Sequence, residues 1–140
     1  TPHEAPQTTY TRPFEAEVIR LESIHSLADN LHNELQGIIK YARLIQDCIL
    51  TDPHDVEPGT TFLQRYLPAT LEIVERGYVL SQKLEHYRDA QTLTERKTEI
   101  LQALHSAFLQ QYIQLLENDA THLKTEISTL EKLLKTDGFL

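Results

Sequence analysis

The residues of this sequence that could do chemistry are concentrated in one stretch near the amino terminus. Polar and ionisable side chains recur there at the spacing of one helical face: Glu22, His25, Asp29, His32, Asn33 and Gln36. His25, Asp29 and His32 are separated by four and then three residues, which places them on one side of an α-helix. Two imidazoles and a carboxylate in that arrangement could bind a divalent metal or carry out general acid–base chemistry.

The same stripe is also typical of the solvated side of an amphipathic helix, and we prefer that interpretation. A metal site needs a further strong ligand from another element, and the sequence nominates none. We therefore assign no catalytic residues and no cofactor. His25, Asp29 and His32 are kept as the candidate metal ligands.

Asn118 and Asp119 interrupt an apolar helical pattern near the carboxyl end. This polar pair could contact a cation or a partner, although a helix cap or a change of register is the commoner cause. Elsewhere the serines lie in helical patterns and the 4 glycines are isolated. The sequence therefore offers neither a strained nucleophile turn nor a glycine-rich phosphate loop.

The composition predicts an all-α protein. The chain has 140 residues, enough for one core, with only 4 Gly and no Trp. Leu, Glu, Gln, Lys and Ala fill the periodic segments, and these residues favour helices. No alternating run of β-branched residues indicates a strand.

The net charge, the apolar runs and the single cysteine limit which partners and which compartment are expected. The net charge is −8 and no basic cluster occurs, which argues against nucleic acid and anionic membrane surfaces. No apolar run is long enough for direct membrane insertion. Cys48 lies among apolar residues and is expected to be a small buried residue in a reduced, cytoplasmic setting. Because the sequence begins at Thr1 and contains no Met, we also consider it the soluble part of a membrane-associated protein.

Three helices are predicted, over residues 14–50, 60–88 and 92–136, after an arm at 1–13 that is disordered or loosely docked. The first helix is predicted from apolar residues spaced alternately four and three apart: Ile24, Ala28, Leu31, Leu35, Ile38, Ala42, Ile45 and Ile49. Pro68 lies inside the second pattern, which continues past it, so we expect a kink there. We expect the third helix to be continuous through Asn118 and Asp119.

Two short links between three helices predict an elongated, antiparallel, coiled-coil-like three-helix bundle over residues 14–140. The residues expected in its core are apolar and at seam positions: Leu31, Leu35, Ile38, Leu67, Leu71, Val74, Leu104, Phe108, Ile127 and Leu130. The surplus length of the first and third helices should project or pair with another chain.

Several phrases, in this order and spacing, resemble the bacterial family named after 5-bromo-4-chloroindolyl phosphate hydrolysis. The first is Phe62–Leu71, FLQRYLPATL. Ala107-Phe108 and the acidic Leu116–Asp119 follow, and Glu126–Gly138 completes the match. Phe139 departs from the family's usual ending, in which leucine follows the glycine directly.

The resemblance implies a helical bacterial protein, associated with toxic-anion resistance and therefore with a stress or envelope role. It transfers no catalytic residue to this chain. We therefore interpret the chain as a helical interaction or scaffold domain, with a protein partner or a second copy bound through its seams. The alternative is a phosphomonoester hydrolase or metal-binding domain that uses Glu22, His25, Asp29 and His32.

Overall fold

The computed structural model describes residues 12–27 and 32–140. Within these ranges the chain forms four α-helices, which we label in order: α1 Glu15–Leu27, α2 His32–Thr51, α3 Val56–Ser81 and α4 Ala90–Thr136. Two short 3₁₀ turns, Pro53–Asp55 and Leu84–His86, lie in the α2–α3 and α3–α4 links. The described residues include no strand, which confirms the all-α class.

The prediction of a single first helix over 14–50 is wrong, because α1 folds back against α2. Arg43 of α2 forms ion pairs with both Glu15 and Glu22 of α1. Gln46 donates a hydrogen bond from Nε2 to the carbonyl of Pro13 at 2.7 Å. In one continuous helix Glu15 and Arg43 would be about 42 Å apart. The two helices are therefore antiparallel neighbours, and residues 28–31 between them lie outside the described ranges.

The described helices form a four-helix arrangement in place of the predicted three-helix bundle. Both α1 and α4 pack against α2 and α3. The Phe62 ring of α3 meets the Phe108 ring of α4 edge to face at 4.8 Å, and near the other end of the pair Lys97 lies over Gly77. These contacts make α3 and α4 antiparallel.

The core confirms most of the predicted buried set. Seven of those residues are buried, and they come from α2, α3 and α4: Leu35, Ile38, Leu67, Leu71, Val74, Leu104 and Phe108. Leu31 lies outside the described ranges. Ile127 and Leu130 were predicted to be buried and are instead 48% and 57% exposed.

The length of α4 explains why Ile127 and Leu130 are exposed. With 47 residues it is about 70 Å long, whereas α2 with 20 residues and α3 with 26 span about 30 and 39 Å. Leu115 is the last buried residue of α4. Residues 116–136, which we call the distal arm, follow this last core residue, and every residue from Ala120 to Leu133 is exposed, so the arm beyond its base extends past the bundle. This confirms that α4 runs through Asn118 and Asp119 and that surplus length of the third helix projects.

The distal arm ends in a local capping motif. Gly138 adopts a left-handed conformation with φ of 84°. The N–H of Phe139 donates to the carbonyl of Leu134 at 2.8 Å, and the N–H of Gly138 donates to that of Lys135 at 3.2 Å. In this Schellman pattern, backbone donors that follow the helix satisfy its last carbonyls.

Helix α3 begins earlier and ends earlier than predicted. Pro58 lies in its first turn, where the missing N–H costs little. Gly59 is buried, and a Cβ there would lie 2.7 Å from Cγ1 of Ile49, so the glycine allows α2 to approach closely. The helix also runs through Pro68, as predicted. The kink expected at Pro68 stays a prediction.

Phe108→Ala should lower the free energy of unfolding by about 3–5 kcal/mol, because a fully buried aromatic side chain is replaced by a cavity. Phe139→Ala is the matched control, since Phe139 is 79% exposed and should change stability by less than about 0.5 kcal/mol. Urea denaturation followed by circular dichroism measures both. Equal losses in the two variants would contradict the core described here.

Candidate functional site

Three carboxylates converge where α4 leaves the bundle: Asp52, Asp55 and Asp119, which we call the carboxylate cluster. One oxygen from each lies within 4.8 Å of the other two. Asp52 and Asp55 belong to the α2–α3 link, and Asp119 lies on α4 just past Leu115. The cluster therefore joins the turn at the end of the bundle to the base of the distal arm.

Asp52 is oriented by the turn that it begins. It follows the last residue of α2, and its N–H donates to the carbonyl of Cys48 at 3.0 Å. Its carboxylate accepts a hydrogen bond from the N–H of His54 at 2.9 Å, which caps the 3₁₀ turn. Nδ1 of His54 lies 3.2 Å from the same oxygen.

Asp55 is the unusual member of the cluster. It occupies the position that precedes α3, where an aspartate commonly accepts a hydrogen bond from the first turn, yet its side chain makes no such bond. The residue is 0% exposed. Neither of its carboxylate oxygens meets a hydrogen-bond donor among the residues that the structure describes. Burying a charged carboxylate without a hydrogen-bond partner is unfavourable. We therefore expect the charge of Asp55 to be neutralised.

Asp119 completes the cluster from α4 and is half-buried. One of its oxygens, Oδ1, is buried and has no hydrogen-bond donor within the described ranges. One turn further along α4, the ring of His122 stacks on that of His54, with centroids 4.1 Å apart. Two imidazoles therefore lie next to the three carboxylates.

Burial, hydrogen bonding and neighbouring charges shift the pKa values of all three carboxyl groups. Burial, followed by the charge of Asp119, raises the pKa of Asp55 to about 6. Burial likewise raises the pKa of Asp119, with a further contribution from Asp52. The hydrogen bond from the backbone N–H of His54 lowers the pKa of Asp52. Asp55 and Asp119 therefore favour either a proton or a cation between them.

Cys48 lies one turn before Asp52 and is half-buried. Burial and then the charges of Asp55 and Asp119 raise the pKa of its thiol to about 11. A thiol with that pKa is protonated near neutral pH and is a poor nucleophile. The structure therefore supports the interpretation of Cys48 as a packing residue.

The residues predicted from the sequence as a polar stripe do not belong to one helix. Glu22 and His25 lie on α1, and Glu22 accepts a hydrogen bond from Arg43 at 2.6 Å. His32 begins α2, and Asp29 lies outside the described ranges. Because α1 and α2 are separate helices, the four-and-three spacing of His25, Asp29 and His32 does not define a common face. Their role as metal ligands stays a prediction.

The sequence indicates one member of the cluster but not the other two. Asp119 was noticed because it interrupts an apolar pattern, and a cation contact was one of its interpretations. Asp52 and Asp55 lie in the link between the first two predicted helices, where no periodic pattern marks them as a site. Their signal was weak, since 64 residues separate Asp55 from Asp119 and nothing local indicates that they meet.

A second feature is a surface groove between α3 and α4, with a volume of about 550 Å³. Its walls combine the apolar Leu80 and Leu93 with the cations Arg76, Arg96 and Lys97. Glu72 also lines the groove and forms an ion pair with Arg76. Gly77 also lines it, about 32 Å along α3 from the residue that follows Asp55. The basic groove and the carboxylate cluster are therefore at opposite ends of the bundle.

These features define an all-α helical domain with a projecting helix and a carboxylate cluster at its base. The family model described as 5-bromo-4-chloroindolyl phosphate hydrolysis protein matches residues 15–130. The chain belongs to this family, as the sequence phrases indicated, although the match ends before Leu134 and Gly138.

The comparisons with curated proteins and with solved structures gave no match. Among the described helices, none combines the length and the apolar character that a membrane span requires.

Asp55→Asn should stabilise the metal-free protein at pH 7 by about 1–3 kcal/mol, because a buried charge is removed. The pKa of Asp55 is raised in the folded state to about 6, so the folded protein holds more protons than the unfolded chain between about pH 4 and 6. Stability should therefore fall as the pH rises through that window, and less so in the variant. Urea titrations in EDTA at several pH values measure this.

Glu117→Gln is the control for the pH experiment, since it removes an exposed carboxylate of α4 that lies two residues from Asp119 and outside the carboxylate cluster. It should leave the pH dependence unchanged. A loss of stability in Asp55→Asn at pH 7 without metal would show that the Asp55 carboxylate is not an uncompensated charge.

Proposed function

We propose that this protein is a helical interaction domain that pairs with a second copy of itself through the distal arm. The observation that carries the proposal is an apolar seam on a part of α4 that the bundle leaves uncovered. Its members are spaced four and three apart and lie on one face: Leu116, Ala120, Leu123, Ile127, Leu130 and Leu134. Leu123, Ile127 and Leu130 are about half exposed. A seam of this period is typical of helices that pack against another helix.

An antiparallel pair fits the length of the arm. With a twofold axis between Ser128 and Thr129, Ile127 faces Leu130 of the second copy, and Leu134 faces its Leu123. Glu117 then lies opposite Leu140, just past the end of the second copy's helix at Thr136. The two bundles stand at opposite ends of the pair, so neither obstructs the other. This separation also limits repulsion between chains of net charge −8.

Charges beside the seam favour this antiparallel alignment. Lys124 and Glu131 each follow a leucine of the seam, and in the antiparallel pair Lys124 of one chain lies near Glu131 of the other. Two such attractive pairs form, related by the twofold axis. A parallel in-register pair would instead place Glu126 beside Glu131, which is repulsive, and would bring the two acidic bundles together.

Ile127→Asp should convert a concentration-dependent dimer into a monomer, because it buries a charge in the centre of the paired seam. We expect the wild-type protein to dimerise in the micromolar range, since only a few heptads pair. Sedimentation equilibrium between about 5 and 200 µM measures the change.

Ser128→Asp is the matched control, because it adds the same charge to an exposed neighbouring position outside the seam. It should leave dimerisation unchanged. Lys124→Glu should weaken the dimer, and adding Glu131→Lys should restore it. A wild-type protein that is monomeric at 200 µM would contradict the proposal, and so would a dimer that Ile127→Asp leaves intact.

The alternative, a phosphomonoester hydrolase, takes its support from the description of the family. Hydrolysis of a phosphate monoester needs metals, a nucleophile or clustered cations at one place. The basic groove between α3 and α4 is about 30 Å from the carboxylate cluster by the rise of α3. In the described part of the chain, the arginine ion pairs involve carboxylates outside the cluster. This separation favours the interaction domain.

We therefore expect the purified protein to release no product from 5-bromo-4-chloroindolyl phosphate, with or without added Mg²⁺, Mn²⁺ or Zn²⁺. A colour assay with an alkaline phosphatase as the positive control measures this. Metal-dependent turnover that disappears in the His25→Ala/His32→Ala double variant would establish the alternative that uses the predicted stripe.

A further inference from the structure

We propose that Asp52, Asp55 and Asp119 bind a hard divalent cation that ties the α2–α3 turn to the base of the distal arm. The first support is convergence. Two segments that are 64 residues apart in the chain bring three carboxylate oxygens within 4.8 Å of one another. Like charges at that distance repel unless something of opposite charge lies among them.

The second supporting observation is the burial and the missing hydrogen bonds of the Asp55 side chain. This side chain is fully buried, and the described residues supply no donor to either oxygen. The hydrogen bond that an aspartate before a helix commonly makes is missing, so the carboxylate is directed toward Asp52 and Asp119 instead. A buried acceptor left in this way is satisfied by a proton shared with Asp119 or by a bound cation.

The choice between a proton and a cation follows from geometry. One carboxylate oxygen from each of Asp52, Asp55 and Asp119 lies within 4.8 Å of the other two. A single shared proton joins only two oxygens, whereas a hard cation binds several carboxylate oxygens at once. The arrangement therefore favours a cation.

The ligand atoms indicate the class of ion. Carboxylate oxygens are the ligands of Ca²⁺, Mg²⁺ and Mn²⁺. Three oxygens separated by at most 4.8 Å have a common centre within about 2.8 Å of each, close to the 2.3–2.6 Å of Ca²⁺–oxygen contacts. Mg²⁺ needs about 2.1 Å and therefore a larger contraction of the cluster. We expect Ca²⁺ to bind more tightly than Mg²⁺.

A bound cation would restrain the position of the distal arm. Asp119 lies four residues beyond Leu115, the last buried residue of α4, so a cation there would hold the base of the distal arm against the turn. The proposal does not depend on self-association, because all three ligands belong to one chain. It can therefore be tested in the wild-type protein and in Ile127→Asp alike.

The test is calorimetric titration of the full chain with Ca²⁺, Mg²⁺ and Mn²⁺ at pH 7, after removal of metals by chelation. We expect one Ca²⁺ per chain and a melting temperature raised by at least about 3 °C at saturating Ca²⁺. Asp55→Asn and Asp119→Asn should each weaken binding by at least tenfold. Because Asp55→Asn is expected to be stable without metal, its lost response would not reflect failure to fold.

Glu117→Gln and Glu57→Gln remove exposed carboxylates next to the cluster on α4 and α3, and both variants should bind like the wild type. Binding and stabilisation that survive in Asp55→Asn would overturn the proposal. The absence of binding by any of the three cations at millimolar concentration in the wild-type protein would overturn it too.

Discussion

The structure depends on a mismatch of helix lengths. A helix of 47 residues is packed against helices of 20 and 26 residues, and helices of those lengths cannot cover it. The first part of α4 supplies Leu101, Leu104, Phe108 and Leu115 to the core. Its second part has apolar residues at the same period, and the other described helices leave them exposed. The length difference therefore determines both the size of the bundle and the exposed seam.

The place where α4 leaves the bundle has its own electrostatic constraint. Asp119 meets Asp52 and Asp55 there, and burial makes the charge on Asp55 expensive. A helix that projects without lateral support needs a firm base, and this cluster lies at that base. Protonation or a bound cation would draw the turn and α4 together, whereas an uncompensated charge would push them apart. The carboxylate cluster at the base of the distal arm and the apolar seam along the arm therefore both belong to the part of α4 that leaves the bundle.

The sequence predicted the features that depend on periodicity. Leu35, Leu71 and Phe108 lie at regular helical spacing and are buried as expected. The same regularity misled the prediction around residues 28–31, because Ile24 of α1 and Leu35 of α2 continue the spacing although they face one core from two helices. Ile127 and Leu130 also have the period of core residues. Their exposure follows from the lengths of the neighbouring helices, which local spacing does not contain.

The candidate site was harder to predict than the core for a similar reason. Asp119 was noticeable as a polar residue in an apolar pattern, but its partners lie in a link that has no periodic signal. Asp52 and Asp55 join it only because α2 and α4 run side by side from Tyr41, which stacks on His105, to the α2–α3 turn. Contacts between remote segments depend on packing, which a single sequence does not show.

Distances between spin labels test the central claim, an antiparallel pair of distal arms, most directly. A Cys48→Ser background carries one label at either Ser128→Cys or Glu117→Cys, and pulsed dipolar spectroscopy measures the separation in the dimer. The account predicts a short distance, below about 25 Å, for position 128 near the twofold axis, and at least about 35 Å for position 117, since 23 residues of helical rise separate the two labels. A short distance at position 117, or no dipolar coupling at either position at 200 µM, would contradict it.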